Sequence, residues 1–296
     1  MLIGGVAAGA IAVWLAPHPA PDFDALKGAL VGARMAGAPL PATGGGDLTL
    51  RSSSGLEIEV LVLVPAGGPE RVPAVVVFGG LQRGRGAVDL AAQVAGETPV
   101  VLAAMDYPYE GDPDPQGWAV AGAVREARPA LYRTVAGARL LLDFLARHPR
   151  VRPDRIILVG VSLGGPIAVA VGGMDPRPAG VASLFGAGLA DMLGHALRPR
   201  LGALADAAVP VVAWHLRAVD AGRHAPAIAP RPFLVVGGRG DRRIPVQAIE
   251  ALAKRAGPAA RVVWLDTPHP DPVASVWLRL AADATRSWLA QERLIP

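Results

Sequence analysis

Short apolar segments alternate with helical ones through most of this 296-residue chain, and this alternation most constrains the fold. All but the first of these segments are rich in Val, Ile and Leu and lack the in-and-out alternation of half-exposed strands, which is typical of strands covered on both faces. In the first of them, apolar residues alternate with acidic ones before the run becomes wholly apolar, as in a strand that crosses from a sheet edge into the core. The predicted strands occupy residues 56–64, 73–78, 99–105, 155–160, 180–185, 231–236 and 261–265.

Helical patterns lie between these strands. In one of them, apolar side chains recur every three or four residues and form a stripe along one face. Its members are Leu131, Val135, Ala138, Leu142 and Leu145. The predicted helices occupy residues 88–95, 129–147, 163–171, 246–256 and 273–289. Strands and helices that alternate in this way predict an α/β fold, with a mostly parallel central sheet and helices on both faces.

The amino end is a separate apolar segment over residues 1–20, which carries no charge through residue 16. Its apolar run is shorter than the roughly 20 residues that span a bilayer core and suits the apolar part of a secretory signal. No Lys or Arg precedes it, although a signal normally carries one. Export or membrane anchorage is favoured over a cytoplasmic location, and a helix packed on the domain or on a neighbouring chain is the alternative.

A single domain is predicted over residues 47–292, after a linker at residues 39–46. The strand and helix rhythm breaks over residues 186–230, where short helical pieces are separated by prolines. Insertions of this length are typical of lids and binding loops. We therefore expect a cap over the carboxyl edge of the sheet.

Composition excludes several classes of protein. Apolar residues make up 52% of the chain, which rules out a disordered protein. The 29 basic residues are nearly balanced by 25 acidic ones and form no basic run, so we expect no nucleic-acid partner. The absence of cysteine excludes disulfides, thiolate zinc sites and a cysteine nucleophile. No histidines have zinc-ligand spacing and no phosphate-binding glycine loop occurs, so no metal or cofactor is predicted. The sequence leaves the oligomeric state open.

The sharpest chemical signal is Gly160-Val161-Ser162-Leu163-Gly164, which joins the end of a predicted strand to the start of a helix. A serine at such a bend is held in a strained, exposed conformation, and small residues two before and two after it prevent clashes. The following helix directs free N–H groups at the same point. Ser162 is therefore the candidate nucleophile, and a simple helix cap is the alternative.

A base and a carboxylate follow the last two predicted strands. Asp241 lies in a glycine-rich turn, and His269 lies on a loop between two prolines. Ser162, Asp241 and His269 all come directly after strands, at the edge where α/β sheets bind ligands. Asp241 could instead pair with a neighbouring arginine or cap the next helix, Asp266 is a rival carboxylate, and His269 could be an ordinary loop residue. The remaining histidines fit the base less well, namely His18, His148, His195, His215 and His224.

Residues 160–165, the Gly240-Asp241 turn and His269 together resemble the α/β-hydrolase superfamily, in particular its esterase, dienelactone-hydrolase-like and peptidase-like branches. The resemblance covers roughly residues 50–292. It implies that Ser162 attacks an acyl carbon, that His269 relays the proton and that Asp241 holds His269. Dienelactone hydrolases themselves use a cysteine nucleophile, so that particular activity is not supported.

The resemblance also implies an oxyanion hole built from backbone N–H groups. One donor is that of Leu163, and the second belongs to Gly80 or Leu81 in the loop after the second predicted strand. Phe78 stands at the start of this loop, where many members of the superfamily have histidine. A tight exit from the strand is the alternative role of this glycine pair.

Aromatic residues cluster in loops near the predicted site. Tyr107, Tyr109 and Trp214 are candidate substrate contacts for an apolar pocket, with core packing as the alternative. Arg83 and Arg85 could meet a carboxylate or phosphate.

The sequence therefore predicts a serine hydrolase that cleaves carboxylic esters of small molecules through an acyl-enzyme. A peptidase, or an acyl-CoA thioesterase or acyltransferase, could use the same three residues. A non-catalytic binding protein on a hydrolase scaffold is the alternative from a different class.

Overall fold

The computed structural model describes residues 19–35, 44–80, 84–112, 119–270 and 275–296. Residues 1–18, which hold nearly all of the predicted export or anchor segment, lie outside this range. The strands are β1 (Leu30–Met35), β2 (Gly44–Ser52), β3 (Glu57–Val64), β4 (Val72–Phe78), β5 (Val101–Met105), β6 (Val151–Val161), β7 (Pro178–Leu184), β8 (Phe233–Gly238) and β9 (Ala260–Leu265). The helices are α1 (Phe23–Lys27), α2 (Val88–Ala95), α3 (Ala119–Arg147), α4 (Gly164–Met174), α5 (Leu189–Leu201), α6 (Ala205–Leu216), α7 (Ala221–His224), α8 (Val246–Ala256) and α9 (Ser275–Gln291).

Nine strands of the described chain form one sheet in the order β1-β2-β3-β5-β4-β6-β7-β8-β9. The pairs β1–β2, β2–β3 and β3–β5 are antiparallel. All pairs from β5 to β9 are parallel. The carboxyl ends of β4 to β9 therefore lie at one edge of the sheet, which we call the carboxyl edge, and their starts lie at the amino edge.

Helices cover both faces of the sheet, which confirms the predicted fold class. Apolar side chains of α3, α4 and α8 pack on one face, and those of α2 and α9 pack on the other. Strand β4 lies between these two layers, and all seven of its residues are buried. Such continuous burial explains why β4 carries no polar side chain.

The sequence prediction differs from the structure mainly at the two ends of the sheet. Strands β1 and β2 were not predicted, and the predicted linker is wrong for Gly44–Gly46, which belong to β2. A Cβ at Gly45 would lie 2.2 Å from the backbone oxygen of Val62, so the close approach of β3 requires glycine there. Burial alternates along the whole of β3, which keeps one solvent-facing side throughout instead of entering the core. Strand β9 is only half-buried because it is the last strand of the sheet.

Helix α3 begins ten residues before the predicted start at Pro129, which lies inside it. Proline removes one helical hydrogen bond but does not end a helix that its neighbours hold by packing. The other predicted helices agree with the structure to within about three residues.

Residues 186–230 contain α5, α6, α7 and short 3-10 turns. Asp220 accepts a hydrogen bond from the N–H of Leu189 at 2.6 Å, and Asp191 pairs with Arg255 of α8 at 2.9 Å. The first contact is internal to the insertion, and the second attaches the insertion to the body of the domain. The cap role of this insertion and the domain bounds of 47–292 stay predictions. Across the described helices, none has the length and apolar character needed to cross a bilayer.

Candidate active site

The bend between β6 and α4 has the strained geometry that the sequence predicts. Ser162 has a φ of 54°, which side chains other than glycine rarely adopt. A Cβ at Gly160 would lie 2.0 Å from the backbone oxygen of Gly164. One at Gly164 would lie 2.0 Å from the backbone oxygen of Phe78. Only glycine fits at these two positions, and the close packing holds the Ser162 hydroxyl above the carboxyl edge of the sheet.

The structure brings together the three side chains that the sequence singled out. His269 Nε2 lies 3.0 Å from Ser162 Oγ, and His269 Nδ1 lies 2.7 Å from Asp241 Oδ2. Since a carboxylate only accepts, Nδ1 carries the proton and donates it, which leaves Nε2 free to accept from the serine hydroxyl. The second carboxylate oxygen of Asp241 accepts the N–H groups of Arg243 and Ile244, at 2.7 and 2.9 Å.

Burial isolates this pair from bulk water. The side chain of Asp241 is 1% exposed and that of His269 is 9% exposed. A buried carboxylate is stable only when its oxygens are paired or hydrogen-bonded, and both oxygens of Asp241 have such partners. The two loops are also joined, because Gly240 donates its N–H to the carbonyl of Thr267 at 3.1 Å.

Phe185 is a contact of the site that the sequence did not reveal. Its fully buried ring meets the His269 ring edge-on, with centroids 6.2 Å apart and planes at 74°. Its φ of 52° places it in the left-handed region at the end of β7. In the sequence it is only the last apolar residue of a strand, and no signal there points to histidine packing.

Two backbone N–H groups near Ser162 are candidate oxyanion donors: that of Leu163, just before α4, and that of Gly80, just after β4. Within the described residues, neither the N–H of Leu163 nor that of Gly80 donates to another protein group. The Phe78-Gly79 backbone packs directly against Gly164, since a Cβ there would lie 2.7 Å from the Gly79 oxygen. Free N–H groups in this position can donate hydrogen bonds to a developing oxyanion and stabilise it. Leu81, the other predicted donor, lies outside the described residues.

The predicted substrate-contact residues already have partners in the protein. The hydroxyl of Tyr107 donates to the carbonyl of Gly79 at 2.7 Å, and that of Tyr109 donates to the carbonyl of Asp112 at 2.9 Å. Burial raises the pKa of Tyr107. The pKa of Tyr109 is raised by burial and by nearby carboxylates. The ring of Trp214 packs under the guanidinium of Arg217 at 4.2 Å. Substrate contact by these three residues stays a prediction.

The rival carboxylate does not reach the histidine. The side chain of Asp266 is 90% exposed and lies 3.4 Å from Arg239. Arg85, considered above for an anionic substrate, is held by Asp106 at 2.7 Å and Asp47 at 2.6 Å, while Arg83 lies outside the described residues.

The three histidines of the insertion contact backbone carbonyls. His195, His215 and His224 lie next to the carbonyl oxygens of Arg242, Val211 and Ala218 respectively. In the described part of the chain, no group of three His, Cys, Asp or Glu side chains could hold a metal ion.

The sheet topology and the serine elbow define an α/β hydrolase. Residues 39–186, half of the chain, match the family described as acetyl xylan esterase (AXE1). The chain therefore belongs to the acetyl xylan esterase family, and it is a carboxylester hydrolase that acts on small-molecule esters. The matched region includes Ser162 and Gly80 but ends before Asp241 and His269.

Solved structures with the same fold include further esterases. Acetyl xylan esterase 1 from Thermoanaerobacterium sp. JW/SL YS485 is 16% identical, with a TM-score of 0.65 over 92% of this chain and 95% of that one. The acetyl xylan esterase from Paenibacillus sp. R4 is 20% identical, with a TM-score of 0.65 over 89% and 92%. Est1E from Butyrivibrio proteoclasticus is 15% identical, with a TM-score of 0.60 over 84% and 99%. Among curated proteins, none matches the sequence.

Proposed function

We propose that this carboxylester hydrolase works through an acyl-enzyme on Ser162, with His269 as general base and Asp241 as its orienting carboxylate. The observation that carries the proposal is the continuous pair of contacts from Ser162 Oγ through the imidazole to Asp241, at 3.0 and 2.7 Å. A serine hydroxyl is a weak nucleophile unless a base receives its proton, and this arrangement supplies one.

In the first half of the reaction, Ser162 Oγ attacks the ester carbonyl carbon while its proton passes to His269 Nε2. The carbonyl oxygen becomes an oxyanion, which the N–H groups of Leu163 and Gly80 stabilise. The intermediate collapses, the bond to the alcohol breaks, and His269 Nε2 returns the proton to the leaving alkoxide oxygen. Asp241 stays ionised and stabilises the imidazolium that forms between these two transfers.

In the second half, a water molecule gives a proton to His269 Nε2 and attacks the acyl carbon on Ser162. Collapse of the second intermediate releases the carboxylic acid and returns the proton to Ser162 Oγ. The same N–H groups hold the oxyanion in both halves. No redox change or external group is needed to balance either step.

The family and the two acetyl xylan esterases of similar fold lead us to propose acetyl esters of carbohydrate hydroxyl groups, such as acetylated xylan, as the substrate class. A panel of p-nitrophenyl acetate, p-nitrophenyl esters with longer acyl chains, acetylated xylan, an acyl thioester and an aminoacyl anilide tests this. Acetate release from xylan is expected. Turnover of the thioester or anilide alone would instead establish one of the other acyl-transfer activities.

Removal of the nucleophile tests the mechanism. Ser162→Ala is expected to lower kcat for p-nitrophenyl acetate by about 10⁵-fold and to abolish labelling by a fluorophosphonate probe. Ser287→Ala is the control, because its hydroxyl only bonds the carbonyl of Asp283 within α9 and should leave turnover unchanged. Retained turnover in Ser162→Ala, or probe attachment at another residue, would overturn the mechanism.

A further inference from the structure

Tyr107 lies beside the loop that carries one of the two proposed oxyanion donors. Strands β4 and β5 are parallel neighbours, so the residues that follow them meet at the carboxyl edge. Gly79 and Gly80 follow β4, and Tyr107 comes shortly after β5. The hydroxyl of Tyr107 donates to the carbonyl oxygen of Gly79 at 2.7 Å.

This hydrogen bond acts on the same peptide group that carries the N–H of Gly80. Among the described peptide bonds only Ala229-Pro230 is cis, so the Gly79-Gly80 bond is trans. In a trans peptide the carbonyl and the N–H point in opposite directions. A hydroxyl that fixes the carbonyl of Gly79 therefore also fixes the direction of the N–H of Gly80.

The same carbonyl oxygen also lies near the nucleophile elbow, the bend at residues 160–164. A Cβ at Gly164 would lie 2.7 Å from the oxygen of Gly79, and Leu163 immediately precedes Gly164. The oxygen of Gly79 is therefore close to both the elbow and the hydroxyl of Tyr107. Two adjacent glycines have wide conformational freedom, and without an outside contact their peptide can rotate.

We propose that Tyr107 is a positioning residue for catalysis, which holds the Gly79-Gly80 peptide so that the N–H of Gly80 meets the oxyanion. This inference rests on the proposed acyl-enzyme at Ser162. It assigns Tyr107 a role different from the substrate contact expected from the sequence, because its hydroxyl is already used.

The chemistry of the phenol suits this role. Burial raises the pKa of Tyr107, so the hydroxyl stays protonated and can donate throughout the working pH range. A neutral donor also adds no charge beside the oxyanion. The residue before it strengthens the arrangement, because Asp106 accepts the backbone N–H and the side-chain Nε of Arg85, both at 2.7 Å. The neighbouring residues Asp106 and Tyr107 thus bind Arg85 and Gly79, at two points of the segment after β4.

Tyr107→Phe keeps the ring and removes only the donor. We expect kcat for p-nitrophenyl acetate to fall about 10-fold, less than for loss of an oxyanion donor itself, because the N–H remains but is loosely directed. KM should be unchanged, since the oxyanion exists only in the transition state. Loss of one hydrogen bond is small against the stability of a domain, so the variant is expected to fold.

Tyr132→Phe is the matched control. Its hydroxyl also donates to a backbone carbonyl, that of His215 at 3.2 Å, but it lies on α3 and does not contact the site. Its kcat and KM should equal those of the parent enzyme. A general effect of losing a tyrosine hydroxyl would lower kcat in both variants, and that result would contradict the proposal.

A transition-state analogue gives a second readout that a purely structural role would not move. The inhibition constant of a boronic acid, which forms a tetrahedral adduct on the nucleophile, should rise in Tyr107→Phe by the same factor as kcat falls. Inhibition by the product acetate should not change. An unchanged boronate inhibition constant, or an unchanged kcat, would overturn the proposal.

The two proposals fail in different ways. If Ser162→Ala keeps its turnover, the acyl-enzyme mechanism is wrong and with it the positioning role. If Ser162→Ala is inactive while Tyr107→Phe matches the parent enzyme in kcat and in boronate affinity, only the role of Tyr107 is wrong.

Discussion

The two edges of the parallel sheet are held by different chemistry. At the carboxyl edge, neutral donors such as the Tyr107 hydroxyl and the N–H groups that bind Asp241 fix the groups around Ser162, and the Arg85–Asp106 ion pair lies in the segments farther along the loops. At the amino edge, the segments that lead into the strands are fixed by charged side chains. The amino edge therefore contributes mainly to stability, and the carboxyl edge holds the groups proposed for catalysis.

A network of ion pairs occupies the amino edge. Asp175, whose side chain is 3% exposed, binds Arg177 through both carboxylate oxygens, with the shortest contact at 2.6 Å. Arg177 also binds Asp143 at 2.6 Å, and Asp143 binds Lys27 at 2.5 Å. The network joins the segment before β7 to α3 and to α1, and each charge in it faces an opposite one.

Two further arginines bind backbone carbonyls at this edge. Arg150, just before β6, donates to the carbonyls of Pro65, Gly67, Pro69 and Glu70. Arg231, just before β8, donates to the carbonyls of Gly172, Asp175, Pro178, Ala227 and Ile228. A planar guanidinium with five donors suits such sites. Substitutions at the amino edge should therefore change stability, and those at the carboxyl edge should change turnover.

The largest effect on turnover among the site's supporting residues is expected for Asp241→Asn. An amide has a single acceptor oxygen, and the N–H groups of Arg243 and Ile244 occupy it. Its NH₂ group then faces His269 Nδ1 and donates to it, so the imidazole loses the tautomer that receives the serine proton. We expect kcat for p-nitrophenyl acetate to fall about 10⁴-fold, with a much smaller change in the free energy of unfolding. Steady-state kinetics and urea unfolding measure the two quantities.

The exposed carboxylate of Asp266, which directly follows β9, provides the control for this substitution. Asp266→Asn changes a side chain that lies in solvent beside Arg239, and its kcat should match that of the parent enzyme. An Asp266→Asn variant that loses as much turnover as Asp241→Asn would reverse the assignment of the orienting carboxylate.

Asp175→Asn at the amino edge is expected to have the reverse pattern, with a loss of stability and no change in turnover. Burial alone would raise the pKa of Asp175, but hydrogen bonds from Arg177 hold it below its usual value of 3.8. Removal of this carboxylate charge leaves Arg177 with weaker partners and should lower the free energy of unfolding by about 3 kcal/mol. The kcat of the folded fraction should not change.

Urea unfolding at neutral pH measures the loss, and active-site titration with the fluorophosphonate probe corrects kcat for the folded fraction. Arg152→Gln is the control, since its pair with Asp154 is exposed and should contribute little. A fall in corrected kcat with stability intact would contradict the division between the two edges.

The smallest effect concerns pH. His148 is buried at the end of α3, and its Nδ1 accepts the N–H of Arg150 at 3.2 Å. Burial and the charge of Arg150 lower the pKa of His148 below its usual 6.5. A lowered pKa in the folded state gives stability that is present above pH 6.5 and is lost as pH falls through the folded value.

Urea unfolding of the parent enzyme and of His148→Asn, from pH 7 to pH 5, measures this contribution. The asparagine oxygen can replace Nδ1 as an acceptor but does not titrate, so its stability should fall less on acidification. Equal losses in the two proteins would show that His148 does not contribute to acid sensitivity.

The sequence predicts the parallel half of the fold because buried strands and amphipathic helices have distinct periodicities. The sequence does not predict strands β1 and β2, because Gly32 and Gly44–Gly46 weaken a strand pattern and their pairing depends on distant partners. The residues Ser162, Asp241 and His269 were found because each directly follows a recognisable strand. Their grouping needs only parallel strands, whose ends meet at one edge.

The partners of the supporting residues could not be predicted in the same way. The sequence predicts Tyr107 as a substrate contact. Its hydrogen bond to Gly79 exists because β5 lies beside β4 in the sheet, and the sequence does not show that β5 is placed between β3 and β4. Phe185 meets His269 because its backbone enters the left-handed region, which an apolar strand pattern does not indicate. Contacts of this kind depend on tertiary packing and not on local sequence.

The crowded elbow has a consequence for efforts to alter the enzyme. A Cβ at Gly160 or Gly164 would strike backbone at 2.0 Å, and one at Gly165 would lie 2.6 Å from Ser183 Oγ. Backbone cannot give way as a flexible side chain can, so random mutagenesis of these codons mostly yields misfolded protein. Libraries that aim at a new specificity should leave these three codons intact and place their diversity where a larger side chain meets open space.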